Sequence, residues 1–373
     1  MDNIVDLSSH AGTDCTQVFL DTAKALWKDR KKDATIRFGP GEYIWHSFKL
    51  EKVHCLTIEL AEGAVIKFSD AKISGWHKPE EGYGAIVTFE CCDKFVVRGA
   101  GADHSRFETN GASWWGWCKT DDRPGAFFFR KCNDWSMSGV SFHNSPKNNF
   151  RLQRCSRWSM DNIALLSPYN EDEEGARDVL NLDRCSHIKV TGSKLAGGDD
   201  LVAIFHANSD LEFDGCTFLH GHAFAFGSAI SEPIERVRVT NCTFNGSDFG
   251  FRFKATPKTC GRNPDQSYVK DVTIENIIME NIKFHPFKFE TNYHSSGVHA
   301  TNTRFRDITF RHVEVRSTQF LASFTLANEH AMDGVVFDDV HVHTVRDAGG
   351  HKNPCVHARC TVKNCSENLM QLV

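Results

Sequence analysis

The chain has 373 residues, 40% of them hydrophobic and 24% charged, with a formal net charge of −5. That length is too great for most single compact cores, unless the fold is elongated or repetitive. So mild a charge argues against nucleic acid or an anionic membrane as partner, and no apolar run of about 18 residues offers a membrane span.

The opening "MDNIVDLSSHAGTD" has neither the basic n-region nor the apolar h-region of a secretion signal. With 14 cysteines and no such signal, free and mostly buried thiols in a reducing, cytoplasmic compartment are expected, although a chain trimmed of its leader would read the same. The next stretch, "GTDCTQVFLDTAKALWKDRKK" (12–32), reads as a helix that caps an open sheet end, so residues 1–32 are assigned as an N-terminal cap. Thr13 or Asp14 can N-cap it, Val18, Phe19, Ala23, Leu26 and Trp27 share one face, and basic residues close its last turn.

From there one pattern recurs: a hydrophobic–polar–hydrophobic triplet, two turn-like residues, then a second short β-rich run. Weak copies are "LTIELAEG" (56–63) and "FVVRGAGA" (95–102). Strong copies start at Trp135, Trp158, Ile188, Leu211, Val237, Val272, Ile308 and Val335, at intervals of 23, 30, 23, 26, 35, 36 and 27 residues. Period-two alternation marks strands, and the bends fall at Gly, Asn and Asp. A unit of this size cannot bury its apolar face alone, so copies must stack. Helical periodicity between copies is absent, and most intervals are too short for a propeller blade of about 40–50 residues. The expected fold is all-β, a single right-handed parallel β-helix of about ten coils. It fills residues 1–373 as one domain, with an irregular cover at 350–373.

The repeat aligns the coils. "FFF" (127–129), "FRL" (150–152), "LNL" (180–182), "VAI" (202–204), "FAF" (224–226), "FRF" (251–253) and "FKF" (287–289) superpose, with first and third residues pointing inward. The central residues, Phe128, Arg151, Asn181, Ala203, Ala225, Arg252 and Lys288, face outward: a small-residue floor between cationic walls. Two positions before each strand the column reads Asn148, Asp178, Asp200, His222 and Phe249. Coils lie ~4.8 Å apart, so Asp178, Asp200 and His222 are expected to stack, with Asp199 beside them. Carboxylates so close cannot all ionise cheaply, and one should hold a proton. A proton donor beside carboxylates that can polarise water is the equipment of glycoside hydrolysis. A structural reading competes with this, because Asp and Asn suit turns for conformational reasons.

These residues resemble glycoside hydrolase family 28, the polygalacturonases. The family's "NTD", "GDD", "GHG" and "RIK" motifs are similar to "ARD" (176–178), "GDD" (198–200), "GHA" (221–223) and "RFK" (252–254), in the same order. "WW" at Trp114–Trp115, "NSP" at 144–146 and "PFKFETNY" ending at Tyr293 extend the resemblance over about residues 12–293. It implies Asp199 as general acid, Asp178 and Asp200 as activators of water with inversion, and His222 as the group holding the acid's proton and geometry. It further implies Arg252, Lys254 and Tyr293 around a galacturonate next to the scissile bond, in an acidic oligo- or polysaccharide substrate. Cationic contacts fit that class independently, because an anionic sugar favours charge-assisted pairing.

The motifs also depart from the family. Ala176 and Arg177 replace Asn and Thr, Ala223 replaces a glycine, and Phe205 stands where the family has a lysine. These departures suggest an altered subsite and exo action on short oligosaccharides. Rival readings are a hydrolase of another pectic glycan (rhamnogalacturonan type), a β-helix polysaccharide lyase, and a non-catalytic sugar-binding β-helix. No cofactor is expected, and the cysteines, "CC" at 91–92 and Cys355, Cys360 and Cys365 included, lack the paired CxxC spacing of a zinc site. "SWWGWC" (113–118) is expected to pack a loop more than to stack on sugar, and histidines such as those of "HVHTV" (341–345) to be fillers.

Overall fold

In the eight strong copies of the repeat the fifth residue turns the chain. Gly139, Asn162, Gly192, Gly215, Asn241, Asn276, His312 and Asp339 all have φ between +49° and +63°. Most L-residues pay about 1–2 kcal/mol for this left-handed conformation, which Gly avoids and Asn and Asp tolerate. The turn is tight enough to redirect the chain without ending the strand ladder. Strand Asn208–Asp214, for example, bends at Gly215 into strand Thr217–Leu219.

The structure, a computed structural model, describes residues 3–28, 34–80, 83–168, 177–257, 260, 263, 265–294, 301–326, 330–347 and 360–370. The chain divides into two compact units, one of Met1–Leu180 with Ile188–Gly198 and one of Asn181–His187 with Asp199–Val373. In the first, Leu56 pairs in parallel with Phe95, and Trp135 with Trp158. In the second, Leu211, Val237, Val272, Ile308 and Val335 pair in succession. Those are the starts of the repeat. A second parallel stack in each unit follows the expected superposition: Phe127 on Phe150 in the first, and Val202, Phe224, Phe251 and Phe287 in the second.

In-register parallel pairing places like residues over like, and the cores show it. In the first unit Phe95, Trp135 and Trp158 stack at 4.6 and 4.9 Å. In the second, Phe226, Phe253 and Phe289 stack at 4.4 and 4.5 Å. Cysteines ladder in the same way, the buried Cys132 and Cys155 thiols donating to Phe89 O and Phe129 O at 3.3 and 3.4 Å.

Helix Thr16–Lys28 forms in the first unit, and Asp14 Oδ1 accepts the Thr16 amide at 2.9 Å. Its buried face is Thr16, Phe19, Leu20, Ala23 and Leu26. Val18 falls outside that arc, and Trp27, in the last turn, is 41% exposed and lies edge-on to His54. The end of the chain also differs from expectation. Residues 350–359 and 371–373 lie outside the described ones, but Cys360–Lys363 is a regular strand paired on Val335–Asp338, and Glu367–Met370 is helical. The alternating Cys-Thr-Val-Lys run continues the ladder. Trp114 is fully buried and Trp115 Nε1 donates to Ser145 O at 3.3 Å, which is loop packing, while Trp117 is exposed. No helix among the described residues is long and apolar enough to cross a membrane.

The aromatic ladder yields a stability prediction. Phe253 stacks on both neighbours and is fully buried. Phe253→Ala should cost about 3–5 kcal/mol, read as a lower denaturant midpoint at unchanged slope.

Candidate active site

Bends before the strands of the second unit carry its acid–imidazole cluster. Asp199 and Asp200 precede strand Val202–Ile204, and His222 precedes Phe224–Phe226. His222 N donates to Asp199 O at 2.7 Å, and Leu201 N to Ala223 O at 2.8 Å, which sets His222 beside the acid pair. On the next coil Asp248 N donates to Gly221 O at 2.8 Å and Phe249 N to His222 O at 2.7 Å. Asp248, and not Phe249, is therefore the neighbour of His222. The strands re-register at Phe224 opposite Phe251, so the later coil carries one more residue across its bend.

Side chains follow this backbone. His222 Nδ1 lies 2.8 Å from Asp199 Oδ1, and Nε2 lies 3.4 Å from Asp248 Oδ2. Lys283 Nζ stands 3.5 Å from Asp248 Oδ1. Burial opposes charging of the imidazole, but the hydrogen bond and charge of Asp199, with Asp200 and Asp248 behind, raise its pKa above the ordinary 6.5. The Asp199–His222 pair thus keeps a proton between its two members beyond the pH at which a free imidazole would lose it.

Asp200 is enclosed. Its Oδ2 accepts from Lys254 Nζ at 2.6 Å, both side chains being almost wholly buried. Its Oδ1 is buried too and has no protein hydrogen-bond partner. Burial pushes the Asp200 carboxyl up, the charge of Lys254 opposes that push, and the charge of Asp199 adds to it. Burial opposes the charged form of Lys254, but the charge and hydrogen bond of Asp200 together with Tyr293 hold its pKa above the ordinary value.

Arg252 and Lys254 project from one face of strand Phe249–Lys254, opposite Lys288 and Glu290 of strand His285–Glu290. Arg252 Nε donates to Glu290 Oε1 at 2.6 Å, and its guanidinium lies over the Phe249 and Tyr293 rings at 4.6 and 4.8 Å. Lys254 lies over Tyr293 at 5.0 Å. The small floor exists in this unit, but Ala203 and Ala225 have no exposed surface. They lie beneath a covered face.

Six of the seven expected site residues, Asp199, Asp200, His222, Arg252, Lys254 and Tyr293, thus fall in the second unit, where direct contacts link Asp199 with His222, Asp200 with Lys254, and Tyr293 with both cations. Asp178 belongs to the first unit, where its Oδ2 accepts from Asn148 Nδ2 at 3.3 Å and its carbonyl from the Asn149 amide, as the aligned column requires. Ala176 lies outside the described residues. Phe205 is half-buried, its amide donating to Leu182 O.

Two participants went unrecognised in the sequence. Glu290 occupies the column of Lys254, one coil on, and extending that column would have found it. Asp248 was hidden by the additional residue in its coil, which slips the column by one. Each is a carboxylate within reach of expected site groups.

Ligating atoms of Asp199, Asp200 and His222 lie within 4.8 Å of one another, a donor set that a divalent cation could use. Lys254 already places a full positive charge 2.6 Å from Asp200 Oδ2, and His222 Nδ1 is engaged with Asp199. The arrangement suits a held proton better than a metal.

Comparison with known proteins gives this arrangement a family. The model of "Glycosyl hydrolases family 28" matches residues 47–364, and the chain belongs to that family. A probable polygalacturonase of Arabidopsis thaliana is 26% identical over 172 residues, 45% of this chain and 36% of the relative, so the chain spans about a third of that relative's length. The solved structure of a polygalacturonase from Erwinia carotovora matches over 98% of this chain and 96% of its own, with TM-score 0.73 and 17% identity. An exopolygalacturonase from Thermotoga maritima matches over 98% and 91%, with TM-score 0.76 and 13% identity. The fold is accordingly the right-handed parallel β-helix, all-β as its residues foretold.

The position of Asp248 gives a pH prediction. Its charge stabilises the proton on His222, so removing it lets the proton leave at lower pH. Asp248→Asn should move the alkaline limb of the pH–kcat/KM profile to lower pH, a modest shift because the imidazole is partly solvated and Asp199 remains its main partner.

Proposed function

We propose that the protein is a glycoside hydrolase that cleaves α-1,4-galacturonide linkages in pectic polygalacturonate or oligogalacturonides. The observation that carries this reading is one hydrogen-bonded proton reservoir, Asp199 with His222, next to a second carboxylate, Asp200, which has one oxygen tied to Lys254 and the other unpartnered. Family membership, and the names of the related polygalacturonases, support the choice of linkage.

In the proposed reaction Asp199 gives its proton to the glycosidic oxygen as the bond from that oxygen to the anomeric carbon breaks. Asp200 takes a proton from a water whose oxygen forms the new bond to that carbon. Asp200 then releases its proton to solvent, and the Asp199–His222 pair takes one back, which restores the starting state. Asp178 has the same water-activating role as Asp200 by its place in the "ARD" motif. Arg252, Lys254 and Tyr293 line the sugar subsite next to the scissile bond. Inversion follows if water attacks from the face opposite the acid. The closeness of Asp199 and Asp200, with oxygens within 4.8 Å, favours a second reading. Carboxyl groups about 5–5.5 Å apart accompany retention, and those about 6.5–9.5 Å apart accompany inversion. Exo action on short oligosaccharides is proposed from the departures at Ala176, Arg177 and Phe205.

Reducing-sugar release from polygalacturonate and oligogalacturonides tests the activity. Asp199→Asn should lower kcat by about 10²–10⁴, and a rate equal to wild type would sink the assignment. Asp178→Asn should be comparably damaging. Proton NMR of the first-formed anomer distinguishes inversion (β product) from retention (α product), and early release of monogalacturonate alone would mark exo action.

A further inference from the structure

Two cations of the first unit have no part in the proposed reaction. In the aligned columns Lys147 and Arg177 stand one residue before Asn148 and Asp178, as Asp199 stands one residue before Asp200. Within the unit the backbone keeps that register: Arg177 N donates to Lys147 O at 2.8 Å, and Asn149 N to Asp178 O at 3.1 Å. Lys147 and Arg177 are therefore neighbours on adjoining rungs, ~4.8 Å apart. They stand beside the carboxylate that the "ARD" motif marks as an activator of water.

Like charges on adjoining rungs repel unless anions meet them. Among the described residues the carboxylate that meets Lys147 is Asp121, at a loose 3.9 Å and 93% exposed, where solvent screens the pair. Asp178 turns its Oδ2 to Asn148 Nδ2 at 3.3 Å, and Lys78 is closed on Asp122 at 2.6 Å. The Lys147 side chain is only 25% exposed. Burial pulls its pKa below the ordinary value, the charge of Asp121 opposes that pull, the charge of Arg177 adds to it, and the charge of Asp178 opposes it more weakly. An anion set against the two cations relieves both the burial and the repulsion.

Room for a sugar opens in the same unit. Arg151 pairs in register with Phe128, Phe128 with Thr88 and Thr88 with Lys49. The last three line a cavity of about 410 Å³, bounded also by Trp76 and Tyr83, a size common for small-ligand sites. Tyr83 links this cavity to the cationic coils. Arg151 lies over its ring at 4.8 Å. Burial pushes its hydroxyl pKa up, the charge of Arg151 opposes that push, and the charge of Asp178 adds to it.

We propose that Lys147 and Arg177 form a second carboxylate-binding subsite, on the coils of Asp178, for a uronate unit other than the one beside Arg252 and Lys254. This rests on the glycoside-hydrolase reading and deepens it. Lys147 and Arg177 are specificity-determining residues: they favour a substrate with free carboxylates on two of its units.

The test needs no turnover. The Asp199→Asn protein is titrated calorimetrically with trigalacturonate and with its fully methyl-esterified form. Adding Lys147→Met, which keeps the apolar stem and drops the charge, should weaken binding of the acid about tenfold and leave that of the ester within twofold. Arg177→Gln in place of Lys147→Met should show the same split. Equal weakening of both trisaccharides would overturn the proposal, because the two side chains would then only pack the bend. No weakening of either, or no binding of the acid at all, overturns it as well. In the otherwise wild-type protein Lys147→Met should raise KM for trigalacturonate by a similar factor, with kcat within twofold. A loss confined to kcat would place Lys147 in the service of Asp178 and overturn the subsite. If wild type hydrolyses neither compound, the hydrolase reading falls, while carboxylate recognition is still decided by the dissociation constants.

Discussion

The parallel hydrogen-bond register between successive coils is the constraint on which the rest depends. It converts sequence separations of twenty to thirty-odd residues into rungs ~4.8 Å apart, provided the chain turns at the same point in each coil. A single residue in the left-handed region supplies that turn in every strong copy, from Gly139 to Asp339. The turn keeps the register, and the register then stacks like on like. Phenylalanine falls on phenylalanine in the second unit, and tryptophan on tryptophan in the first.

Stacking on so short a rung also dictates the electrostatics. Residues of one column stand close enough that two like charges would be costly where water is scarce. In the second unit the columns of His222 and Lys254 alternate in sign, while Arg252 stands opposite Lys288 and the two cations share Glu290. Glu290 stands beside Lys254 in register yet bonds Arg252 and Lys288, while Lys254 turns to Asp200. His222 has a carboxylate at each nitrogen and an elevated pKa as a consequence. What would be repulsion between Asp199 and Asp200 is eased by a cation on one acid and a proton-bearing ring on the other.

This economy separates the acids from the cations as carriers of function. Asp199 and Asp200 sit where family 28 motifs lead one to look, with partners that suit proton transfer. Arg252 and Lys254 are also in place, but Arg252 is bonded to Glu290 of the next coil and Lys254 to Asp200 two coils back. Motif likeness fixes residue type at a position. It does not fix the net charge of the surroundings, which depends on residues such as Glu290 and Asp248 that no motif contains.

The sequence alone determined the fold class and most of the register, because period-two alternation and a recurring turn residue are local properties that survive without knowledge of contacts. The superposition of Phe127 on Phe150 and of Val202, Phe224, Phe251 and Phe287 was legible for that reason. The adjacency of Asp199, Asp200 and His222 was legible too, since their coil is free of insertions. Only the tertiary structure decided which groups pair. The coil of Asp248 holds one more residue across its bend, so counting back from Phe251 lands on Phe249. Glu290 reaches diagonally past the residue opposite it. Such choices depend on side-chain reach and burial, which strand spacing leaves open.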